Sequence, residues 1–236
     1  MSERWLAADH WSVDIELDTA HPRLAQLERH GYVLLRPQPP IPPREWRELT
    51  FMDWRSGGDT RFAPLATATG ELDCRGFWSA DDQRPDKGAR LTTNAAASPT
   101  IVSWLAEVGA DYGRVRVIEL QPQDYEAAKR QLHRDDNNRY NPPETGWVVR
   151  CFVNLTDDPD SFMLLMDSGE DGLPDPTTET RLALGAGSIV LVDTQRLWHA
   201  VCHIGPAARF ALISSFESGP ELDRWVDAHL PEDART

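Results

Sequence analysis

The sequence predicts a mainly β protein with flanking helices, folded as a jelly roll, that is, a double-stranded β-helix. Beyond Arg114 the apolar runs are short and strand-like, at 114–120, 129–134, 147–155, 162–166, 180–184, 188–193, 199–204 and 208–216. Loops rich in Asp, Pro and Gly separate them, and the sequence between them predicts no helix. Many short strands in succession need a two-sheet or closed arrangement to satisfy their edges, which a jelly roll provides.

The first 113 residues read as a helical and loop elaboration packed on the barrel. Residues 114–236 read as the core with a C-terminal helix, and the two parts as one structural domain. His21–His30 suits a helix: Pro22 fits its first turn, Leu24 and Leu27 share a face, and Gly31 can cap its end. Tyr32–Leu35 is a short buried strand. The proline-rich run 37–43 is a stiff connector, and Pro43 opens a helix through Trp46 and Leu49. Residues 56–96 predict loops and short strands anchored by Phe62, Phe77 and Trp78. Ser98 as N-cap and Pro99 at the first position open a helix with Ile101, Trp104, Leu105 and Val108 on one face, ended by Gly113. Pro220–Leu230 predicts an amphipathic helix through Leu222, Trp225 and Val226.

With 236 residues, 40% of them hydrophobic, the chain can bury a sizeable core. No apolar stretch approaches the roughly 20 residues of a membrane helix. Met1–Trp5 lacks the basic and then apolar opening of a secretory signal, so a soluble cytoplasmic protein is expected. A net charge of −14 repels phosphate backbones, and no nucleic-acid partner is expected. Cys74, Cys151 and Cys202 form no even disulfide framework. Cys151 and Cys202 sit in apolar runs and are expected to be buried and reduced. Composition leaves the oligomeric state open.

The chemistry lies in His133-Arg134-Asp135 and in His199, within Leu197-Trp198-His199-Ala200-Val201. On an extended segment His133 and Asp135 share a face, and a histidine from a distant strand completes a triangle around one metal. Two imidazoles and a carboxylate are the ligand set of mononuclear iron(II) oxygenases, and the absence of thiolates argues against structural zinc. Singly, His133 reads as a surface histidine in a polar run and His199 as a packed core residue; their conjunction selects the metal reading. His203 competes with His199 by strand parity, but Arg209, ten residues after His199, favours His199. Arg209 opens an apolar run, where a buried guanidinium needs an anion, and 2-oxoglutarate would supply one through a bidentate clamp. Ser188 and Ser214 are candidates for an added hydroxyl contact to that cosubstrate. Arg150, flanked by apolar residues, is a candidate anchor for a substrate carboxylate or for the cosubstrate, with a rim ion pair as its other reading. Trp147, Arg75 and Trp78 are candidate pocket walls.

Residues from about 114 to 216 resemble the aspartyl/asparaginyl β-hydroxylase and proline cis-hydroxylase group of 2-oxoglutarate oxygenases. The likeness is carried by three stretches: His133-Arg134-Asp135; Val149-Arg150-Cys151-Phe152-Val153-Asn154-Leu155 with Asp158-Pro159-Asp160-Ser161-Phe162; and Gly187–Asp193 running to His199-Ala200-Val201 and Arg209. It implies a cupin-like barrel, iron(II) on His133, Asp135 and His199, 2-oxoglutarate on Arg209, and dioxygen as co-reactant. Phe152 stands where the group often has a histidine, so that polar contact is missing or supplied elsewhere. Asp135 fills the position that related halogenases leave open for chloride, which favours hydroxylation. The expected activity is hydroxylation of a C–H bond in a small substrate, an amino acid or a metabolite derived from one. Alternatives are desaturation or cyclisation at the same site, a peptide or protein hydroxylase, and a non-catalytic cupin-type binding protein.

Overall fold

The structure, a computed structural model, describes residues 21–53, 60–73, 77–79 and 82–232. Its strands are β1 (Tyr32–Leu35), β2 (Met52–Asp53), β3 (Thr60–Thr67), β4 (Trp78–Ser79), β5 (Asp82–Gln83), β6 (Arg90–Leu91), β7 (Tyr112–Leu120), β8 (Val148–Asn154), β9 (Phe162–Met166), β10 (Thr180–Ala183), β11 (Ile189–Val192), β12 (Trp198–Cys202) and β13 (Arg209–Glu217). Helices are α1 (Ala25–Glu28), α2 (Arg44–Arg47), α3 (Pro99–Val108), α4 (Tyr125–Arg130) and α5 (Pro220–His229). The major sheet runs β1-β11-β8-β13-β7-β3-β2, with β6 also on β3, and a smaller sheet runs β10-β9-β12. Every pairing is antiparallel. This is the expected double-stranded β-helix.

Alternation along the strands divides the major sheet into two faces. Val115, Val117, Val149, Cys151, Val153, Leu191, Leu212 and Phe216 face outward and pack on Ile101, Trp104, Leu222, Trp225 and Val226 of α3 and α5. Phe152, Val190, Val192 and Ile213 face inward and meet Met163, Leu165 and Leu182 of the smaller sheet. Cys151 and Cys202 are buried free thiols; Cys74 lies outside the described residues. No helix among the described residues is long and apolar enough to cross a membrane.

Four local expectations give way to the structure. Residues 129–134 do not form a strand. Asp124 caps α4, accepting from the Ala127 amide at 2.7 Å, and Glu-Ala-Ala-Lys-Arg lacks the β-branched residues a strand would favour. Gly109, at φ 72°, ends α3 instead of Gly113. Gly113 lies in β7 against Asp86, whose backbone oxygen would stand 2.1 Å from any Cβ there. The Ser98 hydroxyl caps no helix amide; it donates to the Glu45 carbonyl at 2.6 Å, while the Glu45 carboxylate accepts from the Thr100 amide. Finally, the 56–96 stretch contains β3, an eight-residue strand beside β7. Pro64 and the alanines of β3 hid it from a reading based on β-branched and aromatic residues. Because β1 pairs with β11 and β3 with β7, the major sheet's hydrogen bonding runs across residue 113.

Candidate metal centre

His199 lies on β12 of the smaller sheet. After α4 the chain runs extended along that edge, and His133 forms a bridge with His199. The two residues exchange backbone bonds, His133 N to His199 O at 3.2 Å and His199 N to His133 O at 2.9 Å. Their ring centroids stand 4.3 Å apart. Two residues on, the Asp135 amide donates to the Thr194 carbonyl at 2.8 Å, bringing its carboxylate to the same side. One ligand atom from each of His133, Asp135 and His199 lies within 4.8 Å of the others.

Protonation suits a metal. Nδ1 of His133 lies 2.9 Å from the Gln131 carbonyl and Nδ1 of His199 lies 3.3 Å from the Leu197 carbonyl. A carbonyl only accepts, so Nδ1 carries a proton in both rings, and Nε2 is the atom each ring would turn to a metal. Burial, with the neighbouring His133, pushes the His199 imidazole down to about 3, so it stays neutral. Burial alone would raise Asp135, but Arg150, His199, His133 and Arg114 together hold it well below the ordinary carboxylate range. Two imidazoles and an ionised carboxylate form a donor set that fits iron(II). His203 does not compete. Its Nε2 donates to the Ala207 carbonyl at 2.6 Å, and its Nδ1 sits 2.8 Å from Ser161 Oγ and 3.0 Å from Asp158.

Arg209 begins β13 on the inner face, 2% exposed. Its Nε has no hydrogen-bond partner, and no carboxylate among the described residues lies within ion-pair distance of it. Burial pushes its guanidinium down to about 10, with Asp158 partly offsetting the loss. An orphaned buried guanidinium is the complement of a ligand carboxylate. Ser188 precedes β11, half-buried, and by alternation shares the inward face of Val190 and Val192.

The other candidates are placed differently. Ser214 registers with Val115 and Cys151 on the outer, helix-covered face, facing away from Arg209. Trp147 also belongs to that outer cluster, with the Arg23 guanidinium 4.0 Å over its ring, so it does not wall the metal centre. Arg75 lies outside the described residues, and the side chain of Trp78 is likewise not described. Arg150 does stand beside the triad but is occupied internally. Its Nε donates to Asp135 Oδ2 at 3.1 Å, Nη2 to Asn137 Oδ1 at 2.6 Å, and Nη1 to Ser215 Oγ, with Asp86 at 3.4 Å. A substrate carboxylate would have to displace these partners. Asp86, Asn137 and Ser215 were not singled out in the sequence. Asn137 and Ser215 carry a weak signal, since they share strand parity with Asp135 and Arg209; Asp86, in a polar loop, carries none.

No family model matches the chain, and no curated protein matches it. Among solved structures it resembles a 2OG-Fe(II) oxygenase family oxidoreductase from Burkholderia pseudomallei at 15% identity, with a TM-score of 0.50 over 82% of this chain and 87% of that one. It also resembles the non-heme alpha ketoglutarate dependent carbocyclase SnoK from nogalamycin biosynthesis at 13% identity, with a TM-score of 0.51 over 83% and 82%. The likeness is one of fold, and the double-stranded β-helix is the class it defines.

Proposed function

We propose that this protein is an iron(II)- and 2-oxoglutarate-dependent oxygenase that hydroxylates a C–H bond of a small substrate, an amino acid or amino-acid-derived metabolite. The observation that carries the reading is the convergence of His133, Asp135 and His199, drawn from two separate segments onto one edge of the smaller sheet. These three would hold iron. Arg209 would hold the distal carboxylate of 2-oxoglutarate, with Ser188 at the same barrel mouth. When bound, the iron and its cosubstrate supply, with dioxygen, the oxidising power that an unactivated C–H bond requires.

The chain's own residues prepare the site. The carbonyls of Leu197 and Gln131 hold Nδ1 of His199 and His133, so each ring would offer Nε2 to the metal. Asp135 stays ionised and takes the ligand position that halide transfer would need empty. Phe152, Ile213, Val190 and Val192 line the inner wall and exclude water from the barrel beside the charged groups.

Anaerobic addition of iron(II) and then 2-oxoglutarate to the metal-free protein should produce a visible metal-to-ligand charge-transfer band. Admitting oxygen should release succinate, and a screen of free amino acids by mass spectrometry should find a product one oxygen atom heavier. If neither band nor succinate forms, the reading is rejected in favour of a binding protein. Succinate without any oxygenated amino acid would retain the enzyme and reject the substrate class.

A further inference from the structure

We infer that Arg150 is a positioning residue for the metal-ligating carboxylate of Asp135, and that Asp86 is the buried counter-ion that holds Arg150 in place. The inference rests on the metal-centre reading above and goes beyond it. Arg150 is 1% exposed and inward-facing on β8. Its Nε meets Asp135 Oδ2 at 3.1 Å, so one oxygen of the ligand carboxylate already carries a charge-assisted hydrogen bond. The rest of the guanidinium is pinned from behind. Ser215 Oγ accepts from Arg150 Nη1 and donates to Asp86 Oδ2 at 2.9 Å, and Asp86 Oδ2 itself lies 3.4 Å from Nη1. Asn137 Oδ1 takes Nη2 at 2.6 Å, and Asn137 Nδ2 is tied to Thr194 Oγ1 at 3.0 Å.

Asp86 is fixed as firmly. It is 1% exposed and accepts from the Arg114 backbone amide at 2.8 Å, from Arg114 Nε at 3.0 Å and from Arg114 Nη2 at 2.9 Å. The close approach of Gly113, where no Cβ would fit, lets the Asp86 loop sit this deep. The result is a run from Asp86 through Ser215 and Arg150 to Asp135, each member buried or half-buried and each bonded to the next. A carboxylate held at one oxygen by a rigid guanidinium meets a metal in one orientation. Partners of this kind, behind a ligand, commonly set metal affinity by about 10–100-fold.

The test measures binding of manganese(II), a redox-stable probe, to the full metal-free chain by titration calorimetry, with thermal unfolding followed in parallel. Arg150→Gln should weaken manganese(II) binding by about tenfold or more. 2-Oxoglutarate affinity, measured at saturating manganese(II), should stay close to wild type. Arg150→Lys should recover only part of the metal affinity, because an ammonium cannot reach Asp135, Ser215 and Asn137 at once. If Arg150→Gln does not fold, Ser215→Ala carries the test: it deletes the hydroxyl between Asp86 and Arg150, keeps every charge, and should weaken metal binding severalfold. Unchanged manganese(II) affinity in the folded variants would overturn the proposal, most directly if only substrate affinity fell, since Arg150 would then be a substrate anchor. Absence of metal binding by the wild-type chain would overturn the metal-centre reading itself, and this proposal with it.

Discussion

The two faces of β13 are buried to a similar degree and are chemically opposite. Outward, Leu212 and Phe216 are 0% exposed among the apolar side chains of α3 and α5. Inward, Arg209 and Ser215, 2% and 0% exposed, join a wall that also carries Arg150 and Arg114 on the neighbouring strands. Burial alone therefore does not define this protein's core. The outer face is held by apolar area, which needs no partner chosen in advance. On the inner face the guanidinium groups of Arg114 and Arg150 are each met by an anion, supplied by Asp86 and Asp135. For Arg209 the described residues supply none within ion-pair distance, and that asymmetry is what supports the ligand site proposed for it.

The contrast can be broken from either side. The largest effect is expected at the metal edge, where His199→Ala should abolish measurable iron(II) binding in anaerobic calorimetry, since one of three ligands is lost. Retained binding would move the centre elsewhere. On the outer face, Phe216→Ala should lower unfolding free energy by about 3–5 kcal/mol in urea titrations, because a packed aromatic leaves a cavity. A loss below 1 kcal/mol would mean the outer face is no true core. On the inner face, Arg209→Met should leave stability unchanged or higher, because it removes a buried charge without a fixed partner. It should nevertheless weaken 2-oxoglutarate binding by a free energy of about 2–5 kcal/mol, read from the charge-transfer titration. Equal 2-oxoglutarate affinity in Arg209→Met would place the clamp at another residue.

The smallest effect is a pH slope. His199 is held down to about 3 when folded against an ordinary value of 6.5. Between those limits the unfolded chain binds one more proton than the folded one, so stability rises with pH. In the metal-free protein it should therefore fall by about 1.4 kcal/mol per pH unit on acidification below pH 6.5, from His199 alone. Asp135 and Asp86, both depressed in the fold, add losses of the same sign once pH drops below their unfolded range near 4. Denaturant titrations of wild type and His199→Asn between pH 7 and 5 should show a shallower slope in the variant; parallel slopes would mean that another group titrates.

Much of this was legible in the sequence because period-two alternation fixes faces. The strand runs from 147 onward and the faces of His133, Asp135 and Arg209 follow from spacing. Two site assignments were also decidable by parity alone. Ser214 is an odd number of residues from Arg209, and Trp147 an odd number from Arg150, so each lies on the opposite face of its strand. The role of Arg150 was not legible. Its flanks announce burial, but its partner Asp86 arrives from a loop remote in sequence, and nothing local encodes that meeting. The helix at Tyr125–Arg130 follows the helical propensity of its own residues and overrides the strand that the sequence pattern predicts from 129 onward.

The paired backbones of His133 and His199 have a mechanical consequence. Two of the three ligands are set opposite one another by main-chain hydrogen bonds, so their spacing follows from the geometry of a bridge and owes little to side-chain packing. The segment from Gln131 to Asp135 is otherwise joined to the barrel by few backbone bonds. An ion gripping residues on both sides of that seam would act as a rivet, and filling the site would fasten one edge of the barrel shut. Hydrogen exchange at the amides of His133, Asp135 and His199 should accordingly slow together when metal is added, while the outer-face strands keep their rates. A site built this way senses the closure of its own seam, because the ligands come into register only when the chain is zipped.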